Sequence, residues 1–303
     1  MSEFIQVREV GLRDGLQLIK TRLPTKIKME WCKRQVDAGF KEIEITSIVP
    51  KETLPQFSDY KEMIKNSNEI KSLSACVLVP NLRGAVLALE NDAKKINFVL
   101  SASEEHNLAN VNMSTSQSLC GLKEIIAVSK NYSKKKPLQV MVSISTSFGC
   151  SISGVISEKK VLSIVEKTLA LGVNEINIAD TVGYANPKQV KSLIKKIMRI
   201  NIDTPIIAHF HDTQGFGLAN VVAALDEGVK VFDASLRGLG GCPHAPGASG
   251  NIATEDCINL LEKMGYSTGI NLQKLKSLCG DMTSWLPNEL LEGKFFTVAT
   301  SKI

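Results

Sequence analysis

Two histidines separated by one residue, His209 and His211, could do chemistry and end an apolar, strand-like run that begins at Ile206. A spacing of two on a strand directs both imidazoles to the same face. Alone, such a pair is more typical of a structural hydrogen-bonding role. Asp14 and Asn251 follow the ends of other strand-like runs, however, and two nitrogens with two or more hard oxygens suit Mg²⁺ or Mn²⁺. The pattern therefore predicts a divalent-metal site formed by these four residues, whereas zinc would more often recruit a thiolate or a third histidine.

Further charged residues lie next to a predicted metal ligand in the sequence or within other predicted strands. Arg13 directly precedes Asp14, and Glu44 interrupts an otherwise apolar strand-like run. A buried carboxylate needs a partner, and Arg13 is the obvious candidate for Glu44. Arg13 and Asp14 could form an ordinary ion pair, or Arg13 could be a fixed positive charge for a developing enolate oxygen. Asp180 ends another strand-like run and is placed similarly.

Cys242 lies in a loop that is rich in glycine, between Gly238 and Asn251. A mobile loop over an active-site mouth is typical of a lid, and a thiol that it delivers can serve as a general acid or base once its pKa is tuned. A flexible connector with an incidental thiol is an equally simple interpretation. Both interpretations stay open on the residues alone.

Eight short apolar runs alternate with amphipathic stretches along the chain. The predicted strands are Ile5–Val10, Glu42–Thr46, Leu73–Val79, Lys95–Leu100, Leu138–Ser145, Glu175–Ala179, Ile206–Phe210 and Val231–Leu236. The predicted helices between and after them are Thr25–Ala38, Gln56–Lys65, Arg83–Glu90, Ser116–Lys130, Glu158–Leu171, Pro187–Met198, Leu218–Glu227 and Ala253–Met264. Strict alternation of this kind implies parallel strands joined by right-handed crossovers.

Eight strand–helix units favour a closed (β/α)₈ TIM barrel over an open doubly wound sheet, and the first strand is not followed by the glycine fingerprint of a dinucleotide-binding sheet. We expect one catalytic domain over residues 1–303, with a C-terminal helical extension near Asn271–Cys279 and the glycine-rich lid after strand eight. In such barrels the chemistry lies at the carboxyl ends of the strands. The candidate residues fall at these ends.

Composition limits the classes of protein that remain. Hydrophobic residues make up 44% and charged residues 22% of 303 residues, as in a soluble globular enzyme. The net charge of +5 is thin and only 5% of residues are aromatic, which argues against a nucleic-acid partner. We expect neither a membrane span nor a signal peptide. Seven scattered cysteines without a C-x-x-C pair suit a reducing compartment, so a cytoplasmic location is expected.

Five segments resemble the 3-hydroxy-3-methylglutaryl-CoA lyase family. They are Glu9–Gln17, Ile43–Ser47, Asp180–Gly183, His209–Thr213 and Gly238–Asn251. The likeness extends from about residue 5 to about residue 275. The Gly-Leu-Gly-Gly-Cys-Pro loop is specific to the lyases, whereas the Arg-Asp-Gly and His-x-His motifs are shared with the wider superfamily of metal-dependent lyases and Claisen synthases.

The resemblance implies cleavage of 3-hydroxy-3-methylglutaryl-CoA to acetyl-CoA and acetoacetate with Mg²⁺ or Mn²⁺. By position, the metal ligands would be Asp14, His209, His211 and Asn251. Arg13 would stabilise the enolate of the departing acetyl-CoA, Glu44 would hold Arg13, Cys242 would act in proton transfer and Asp180 would line the site. The implied partners are an acyl-CoA substrate and a second copy of the chain in a homodimer.

The sequence departs from the family pattern at Leu12, Met141, Asn177, Arg237 and His244. We expect these departures to lie around the substrate pocket, so they leave the acyl group open. The alternatives are a lyase for another 3-hydroxyacyl-CoA, a condensing synthase of the isopropylmalate or homocitrate type, and a non-catalytic metal-bound barrel. Such synthases usually carry a further C-terminal region, for which this sequence leaves little room.

Overall fold

Eight parallel strands form a closed barrel in which each strand pairs with its neighbours in chain order and β8 pairs with β1. The computed structural model describes residues 2–132, 137–200, 203–241 and 250–296. The strands are β1 Gln6–Glu9, β2 Glu42–Ser47, β3 Ser74–Val79, β4 Lys95–Ser101, β5 Gln139–Ser145, β6 Glu175–Asp180, β7 Ile206–Phe210 and β8 Val231–Ala234. The predicted (β/α)₈ architecture is therefore confirmed.

Helices follow the strands and surround the barrel. They are α1 Thr25–Ala38, α2 Tyr60–Asn68, α3 Leu82–Glu90, α4 Glu104–Val111, α5 Thr115–Tyr132, α6 Glu158–Ala170, α7 Pro187–Ile200, α8 Gly217–Asp226, α9 Thr254–Lys263 and α10 Leu272–Trp285. In α7 the buried residues Val190, Leu193, Ile194 and Ile197 recur at helical spacing. This apolar stripe packs the helix against the barrel, as expected for an amphipathic surface helix.

The sequence predicted eight helices, one after each strand, and the C-terminal helix α10, but it missed α4. The signals for α4 were present. Ser103 precedes the helix and its hydroxyl accepts a hydrogen bond from the backbone N–H of His106, and two glutamates occupy the first turn. Asn112 ends the helix with a left-handed φ of 54°. Eight residues between a strand and a longer helix were too short to show a clear apolar period.

A buried layer of charged side chains fills the amino-terminal end of the barrel, where many barrels have branched aliphatic residues. The Nζ atom of Lys95 lies 2.7 Å from Oε1 of Glu42 and 2.5 Å from Oε2 of Glu175. The Nε atom of Arg8 lies 2.9 Å from Oδ1 of Asp233. Because each buried charge has a partner of opposite sign, removal of one would leave an uncompensated charge at a cost of about 3–5 kcal/mol.

Candidate active site

A wide turn after β1 directs two consecutive charged side chains toward the barrel mouth. Gly11–Gly15 form a π-helical turn in which the N–H groups of Arg13 and Asp14 donate to the carbonyl of Val10, at 3.0 and 2.7 Å. Arg13 and Asp14 are both buried. A Cβ atom at Gly11 would lie 2.5 Å from Oε1 of Glu9 and 3.0 Å from the Trp31 ring, so a larger residue would force the Glu9 carboxylate to move. Turns of this type occur frequently at functional sites.

Arg13 is held by a chain of buried hydrogen bonds across the barrel. Its Nε donates to Oε2 of Glu44 at 2.5 Å, and its Nη1 donates to Oδ1 of Asp14, also at 2.5 Å. The other carboxylate oxygen of Glu44 accepts from Nδ2 of Asn97 at 2.7 Å, and Asn97 Oδ1 accepts from the Ser143 hydroxyl at 2.8 Å. The predicted pairing of Glu44 with Arg13 is present. Arg13 therefore contacts both of its predicted partners, Glu44 and Asp14, at the same time.

The two histidines and Asp14 form a compact candidate metal centre. The Nε2 atoms of His209 and His211 are 3.1 Å apart, and Oδ2 of Asp14 lies 3.9 Å from the former and 3.5 Å from the latter. All three residues are buried, and one potential ligand atom from each lies within 4.8 Å of the others. Three predicted ligands, one from the turn after β1 and two from the end of β7, thus meet at one point, which only closure of the barrel achieves.

Asn251, from the chain after β8, is the fourth residue of this cluster. It forms an isolated antiparallel bridge with His211, and its Nδ2 donates to Oδ2 of Asp14 at 2.7 Å. Its Oδ1 is buried and accepts no hydrogen bond from the described residues. The approach of Gly240 requires glycine, because φ is 139° and a Cβ atom would lie 2.5 Å from Nδ2 of Asn251. An unsatisfied buried acceptor beside a carboxylate and two imidazoles fits a hard divalent cation.

The charges of the cluster lower the pKa of Asp14 and raise the pKa of His209. Burial alone would raise the pKa of Asp14, but the Arg13 guanidinium and the two imidazoles hold it well below its usual range. Burial would lower the pKa of His209, yet the carboxylates of Asp233 and Asp14 raise it. The Asp14 carboxylate is therefore ionised at neutral pH. A bound cation would compete with protons for the imidazoles.

Sequence analysis missed Asp233, which lies behind His209. Its Oδ2 is 3.2 Å from Nδ1 of His209 and accepts from Nδ2 of Asn177 at 2.7 Å. The signal was available, since Asp233 interrupts the apolar run Val231–Ala234 just as Glu44 interrupts β2. A buried carboxylate of this kind orients a metal-binding imidazole in many proteins.

Asp180 is buried close to the histidines, but its carboxylate serves the β6–α7 loop. Oδ1 accepts from the N–H of Tyr184 at 2.9 Å and Oδ2 from the N–H of Ala185 at 3.1 Å. Burial raises the pKa of Asp180 despite these two bonds and the nearby imidazoles. Its neighbours Ala179 and Thr181 line the cavity. The proposed catalytic role of Asp180 stays a prediction.

A cavity of about 480 Å³ opens above the carboxyl ends of the strands and exposes the cluster. Arg13, Asp14, His209 and His211 line its inner part, together with Ser143 and Asn177. Apolar side chains line other parts of its wall, among them Leu18, Val49, Leu54 and Val111. His106 also lines the cavity and was not predicted, because it belongs to the missed helix α4.

Two of the predicted features, Cys242 and most of the glycine-rich lid, lie outside the described residues, as does His244. Gly241, which directly precedes Cys242, lines the cavity. The described residues before the lid therefore end at the mouth of the cavity. The role of Cys242 in proton transfer stays a prediction.

All the departures from the family pattern were expected around the substrate pocket. The structure does not place all of them there. Asn177 lines the cavity, but Leu12 is fully buried in the hydrophobic core, and Met141 lies lower in the barrel, where its sulfur accepts from Arg8. The expectation is wrong for Arg237. Its Nη2 donates to the carbonyl of Leu291 at 3.1 Å, so its side chain binds the C-terminal segment and not the cavity.

The closed barrel and the buried Asp–His–His–Asn cluster at its carboxyl end define a barrel enzyme with a candidate divalent-metal centre. A family model described as HMGL-like matches residues 4–281, and the chain belongs to this family. Family membership and the relatives described next assign it to the lyases.

Curated relatives extend over nearly the whole chain. A hydroxymethylglutaryl-CoA lyase of Bacillus subtilis is 40% identical over 273 residues, which are 90% of each protein. The cytoplasmic 3-hydroxy-3-methylglutaryl-CoA lyase of Homo sapiens is 35% identical over 294 residues, or 97% of this chain and 78% of the human protein.

Solved structures agree with these relatives. An HMG-CoA lyase of Acinetobacter baumannii, in complex with coenzyme A and 3-methylmalate, superposes with a TM-score of 0.92 at 39% identity, covering 99% of this chain and 97% of that one. The HMG-CoA lyase of Bacillus subtilis has a TM-score of 0.92 at 36% identity and covers 99% of both chains. The resemblance inferred from the five segments is confirmed.

Proposed function

We propose that the protein cleaves 3-hydroxy-3-methylglutaryl-CoA to acetyl-CoA and acetoacetate in the presence of Mg²⁺ or Mn²⁺. The observation that carries this proposal is the contact between Arg13 and Asp14, which joins a fixed positive charge to the candidate metal centre at one end of one cavity. A retro-Claisen cleavage needs a proton removed from a tertiary hydroxyl and a negative charge stabilised on the departing thioester. The metal centre at Asp14 would serve the hydroxyl, and the positive charge of Arg13 would stabilise the negative charge on the thioester.

The proposed ligands of the cation are Asp14, His209, His211 and Asn251. Their fit is supported by the convergence of the first three and by the unsatisfied Oδ1 of Asn251. A bound Mg²⁺ or Mn²⁺ would lower the pKa of the substrate hydroxyl and fix its orientation. The set of two nitrogens and two oxygens favours these hard ions over zinc.

Arg13 is proposed to stabilise the enolate oxygen of acetyl-CoA as the carbon–carbon bond breaks. Arginine keeps its charge at any pH the protein meets. Glu44 and Asp14 hold the guanidinium from two sides, so little reorganisation is needed when negative charge develops. The enolate carbon must then gain a proton. Cys242 is proposed to take part in this transfer, and Asp180 is proposed to act in the same site.

A related 3-hydroxyacyl-CoA is the second candidate substrate, and the polar wall of the cavity favours it. Ser143 and Asn177 stand in register on β5 and β6, and both line the cavity. A hydroxyl and an amide at this place suit a substituent more polar than a methyl group. The apolar side chains elsewhere on the wall would suit the pantetheine arm of any CoA ester.

We also propose that the chain acts as a single-domain, cytoplasmic homodimer. None of the described helices is both long and apolar enough to cross a membrane. Light scattering after size exclusion would measure the mass, and a monomer would contradict the proposed dimer.

Incubation of the purified protein with Mg²⁺ or Mn²⁺ and a panel of 3-hydroxyacyl-CoA esters tests the activity. We expect acetyl-CoA and acetoacetate from 3-hydroxy-3-methylglutaryl-CoA. Faster cleavage of a more polar ester would favour the second candidate. If no ester is cleaved with either metal, the proposed lyase activity is wrong.

A further inference from the structure

Two buried asparagines in the barrel interior each donate a hydrogen bond to a buried carboxylate, but the two carboxylates act on different groups. Asn97 on β4 donates from Nδ2 to Glu44 at 2.7 Å, and Asn177 on β6 donates from Nδ2 to Asp233 at 2.7 Å. They are 1% and 2% exposed. The first carboxylate holds Arg13, whereas the second faces His209. One asparagine thus leads to the enolate-stabilising charge and the other to the candidate metal centre.

The Asp233 carboxylate determines which nitrogen of His209 carries a proton. Arg8 pairs with its Oδ1 at 2.9 Å, which favours the ionised form. An ionised carboxylate can only accept hydrogen bonds, so Nδ1 of His209, 3.2 Å from Oδ2, must be the donor. The lone pair of a neutral His209 is then on Nε2, which faces Asp14 and His211. A metal ligand needs this lone pair.

Asn177 fixes the orientation of the carboxylate. Its Nδ2 and the Nδ1 of His209 meet the same oxygen, Oδ2, while Arg8 meets the other one. The ion pair with Arg8 at one oxygen and the two contacts at the other thus hold the carboxylate toward the imidazole. Without the Asn177 donor, Oδ2 would keep only a long bond to His209.

We propose that Asn177 and Asp233 are positioning residues for the metal centre, which they serve by fixing the tautomer and orientation of His209. This inference rests on the metal site of the proposed function. Neither residue is a proposed ligand. The sequence pattern did not reveal their role, because Asn177 and Asp233 are 56 residues apart.

The affinity for Mn²⁺ in the absence of substrate tests this directly. Titration calorimetry would compare the wild-type protein with Asn177→Leu and Asp233→Asn. We expect each change to weaken binding by about 10- to 100-fold, as for other residues that orient metal-binding histidines. Asn97→Leu is the matched control. It removes an equally buried amide that donates to a carboxylate, but it reaches the metal centre only indirectly, through Glu44, Arg13 and Asp14, so it should weaken Mn²⁺ binding much less than Asn177→Leu does.

A second measurement needs neither metal nor substrate. The sequence has four histidines, so a ¹⁵N correlation spectrum of the imidazoles is simple to assign, with His209→Gln identifying one set of signals. At a pH where the imidazole is neutral, we expect His209 of the metal-free wild-type protein to carry its one proton on Nδ1. Asn177→Leu should shift these signals toward a mixture of tautomers. If Asp233→Asn fails to fold because Arg8 loses one of its carboxylate partners, Asn177→Leu still provides both measurements.

The outcomes separate this inference from the proposed function. Mn²⁺ binding that weakens much more in Asn177→Leu than in Asn97→Leu, together with a changed tautomer, supports it. Equal weakening in Asn97→Leu, or a wild-type His209 with its proton on Nε2, overturns it and leaves the metal site standing. If the wild-type protein binds no Mn²⁺ or Mg²⁺, the metal site and this inference both fall. If the protein binds the metal but does not cleave 3-hydroxy-3-methylglutaryl-CoA, neither the metal site nor this inference is affected.

Discussion

Arg13 and Glu44 form a buried ion pair, with 2.5 Å between Nε and Oε2, although 30 residues separate them in the sequence. The pair joins the turn after β1 to the interior of β2. It also leaves Nη1 of Arg13 against Asp14. One guanidinium thus contacts both the carboxylate that positions it and a proposed metal ligand.

We predict that Arg13→Met lowers kcat by about 10²- to 10³-fold, as does the loss of other preorganised contacts to a developing oxyanion. KM should change less, because the contact forms mainly in the transition state. Steady-state kinetics measure both. Arg237→Met is the control, since Arg237 binds the C-terminal segment and should not affect kcat. A variant that loses affinity but keeps kcat would show that Arg13 only binds substrate.

Glu44→Gln should lower kcat less than Arg13→Met, because Arg13 keeps its charge but loses one of its two carboxylate partners. The double variant tests whether the residues act as a unit. We expect it to be no slower than Arg13→Met alone, since residues in one network are not additive. Independent, multiplying losses of kcat would mean that Glu44 acts on the reaction without Arg13.

Metal removal should abolish activity, and Mg²⁺ or Mn²⁺ should restore it. His211→Ala should weaken metal binding and nearly eliminate turnover, because it removes one of the ligand atoms at the cluster. The measurements are activity after chelation and Mn²⁺ titration of the variant. Full activity in a metal-stripped sample would contradict the metal assignment.

Cys242 should react with a thiol-directed reagent in the free protein and be protected by substrate, if the glycine-rich loop closes over the cavity. Cys120 is the exposed cysteine among the described residues, so the experiment is best done in Cys120→Ser protein. Cys242→Ser should keep metal binding but lose most turnover, because a hydroxyl is a far poorer proton donor than a thiol near neutral pH. Unchanged kcat in this variant would remove Cys242 from the proton transfer.

The stability of the fold should decrease between pH 5 and pH 7 because of Glu9. Burial raises the pKa of Glu9 from 4.5 to about 7, despite hydrogen bonds from Leu236, Thr254 and Gly11. The folded state therefore keeps a proton that the unfolded state loses above 4.5. This contribution to stability is complete below pH 4.5 and is lost as the pH rises to about 7.

Glu9→Gln should make the free energy of unfolding less dependent on pH over this range. The difference between wild-type protein and variant should change by on the order of 1–3 kcal/mol from pH 5 to pH 8. Chemical denaturation of metal-free protein at both pH values measures it. The amide oxygen can still accept from Gly11 and Leu236, so folding is preserved. A parallel pH dependence of the two proteins would exclude Glu9 as its source.

The glycine-rich loop and the C-terminal segment show where prediction from the sequence had mixed success. The helical extension α10 was foreseen from its position and pattern, and the structure confirms it. Arg237 was expected at the substrate, yet its guanidinium faces Leu291. A charged residue beside a glycine-rich loop carries no sequence signal for which of two neighbours it binds. That choice depends on how residues far along the chain return to the barrel.

The sequence by itself determined the barrel, because strand and helix periods are local properties of the chain, and it determined the candidate ligands, because their types and strand-end positions can be read directly. Asp14, His209, His211 and Asn251 were all predicted, and the structure brings them together. Only the tertiary structure revealed Asp233 behind His209 and Asn97 behind Glu44. Hydrogen bonds between strands depend on the register and closure of the sheet, which join residues that no local pattern relates.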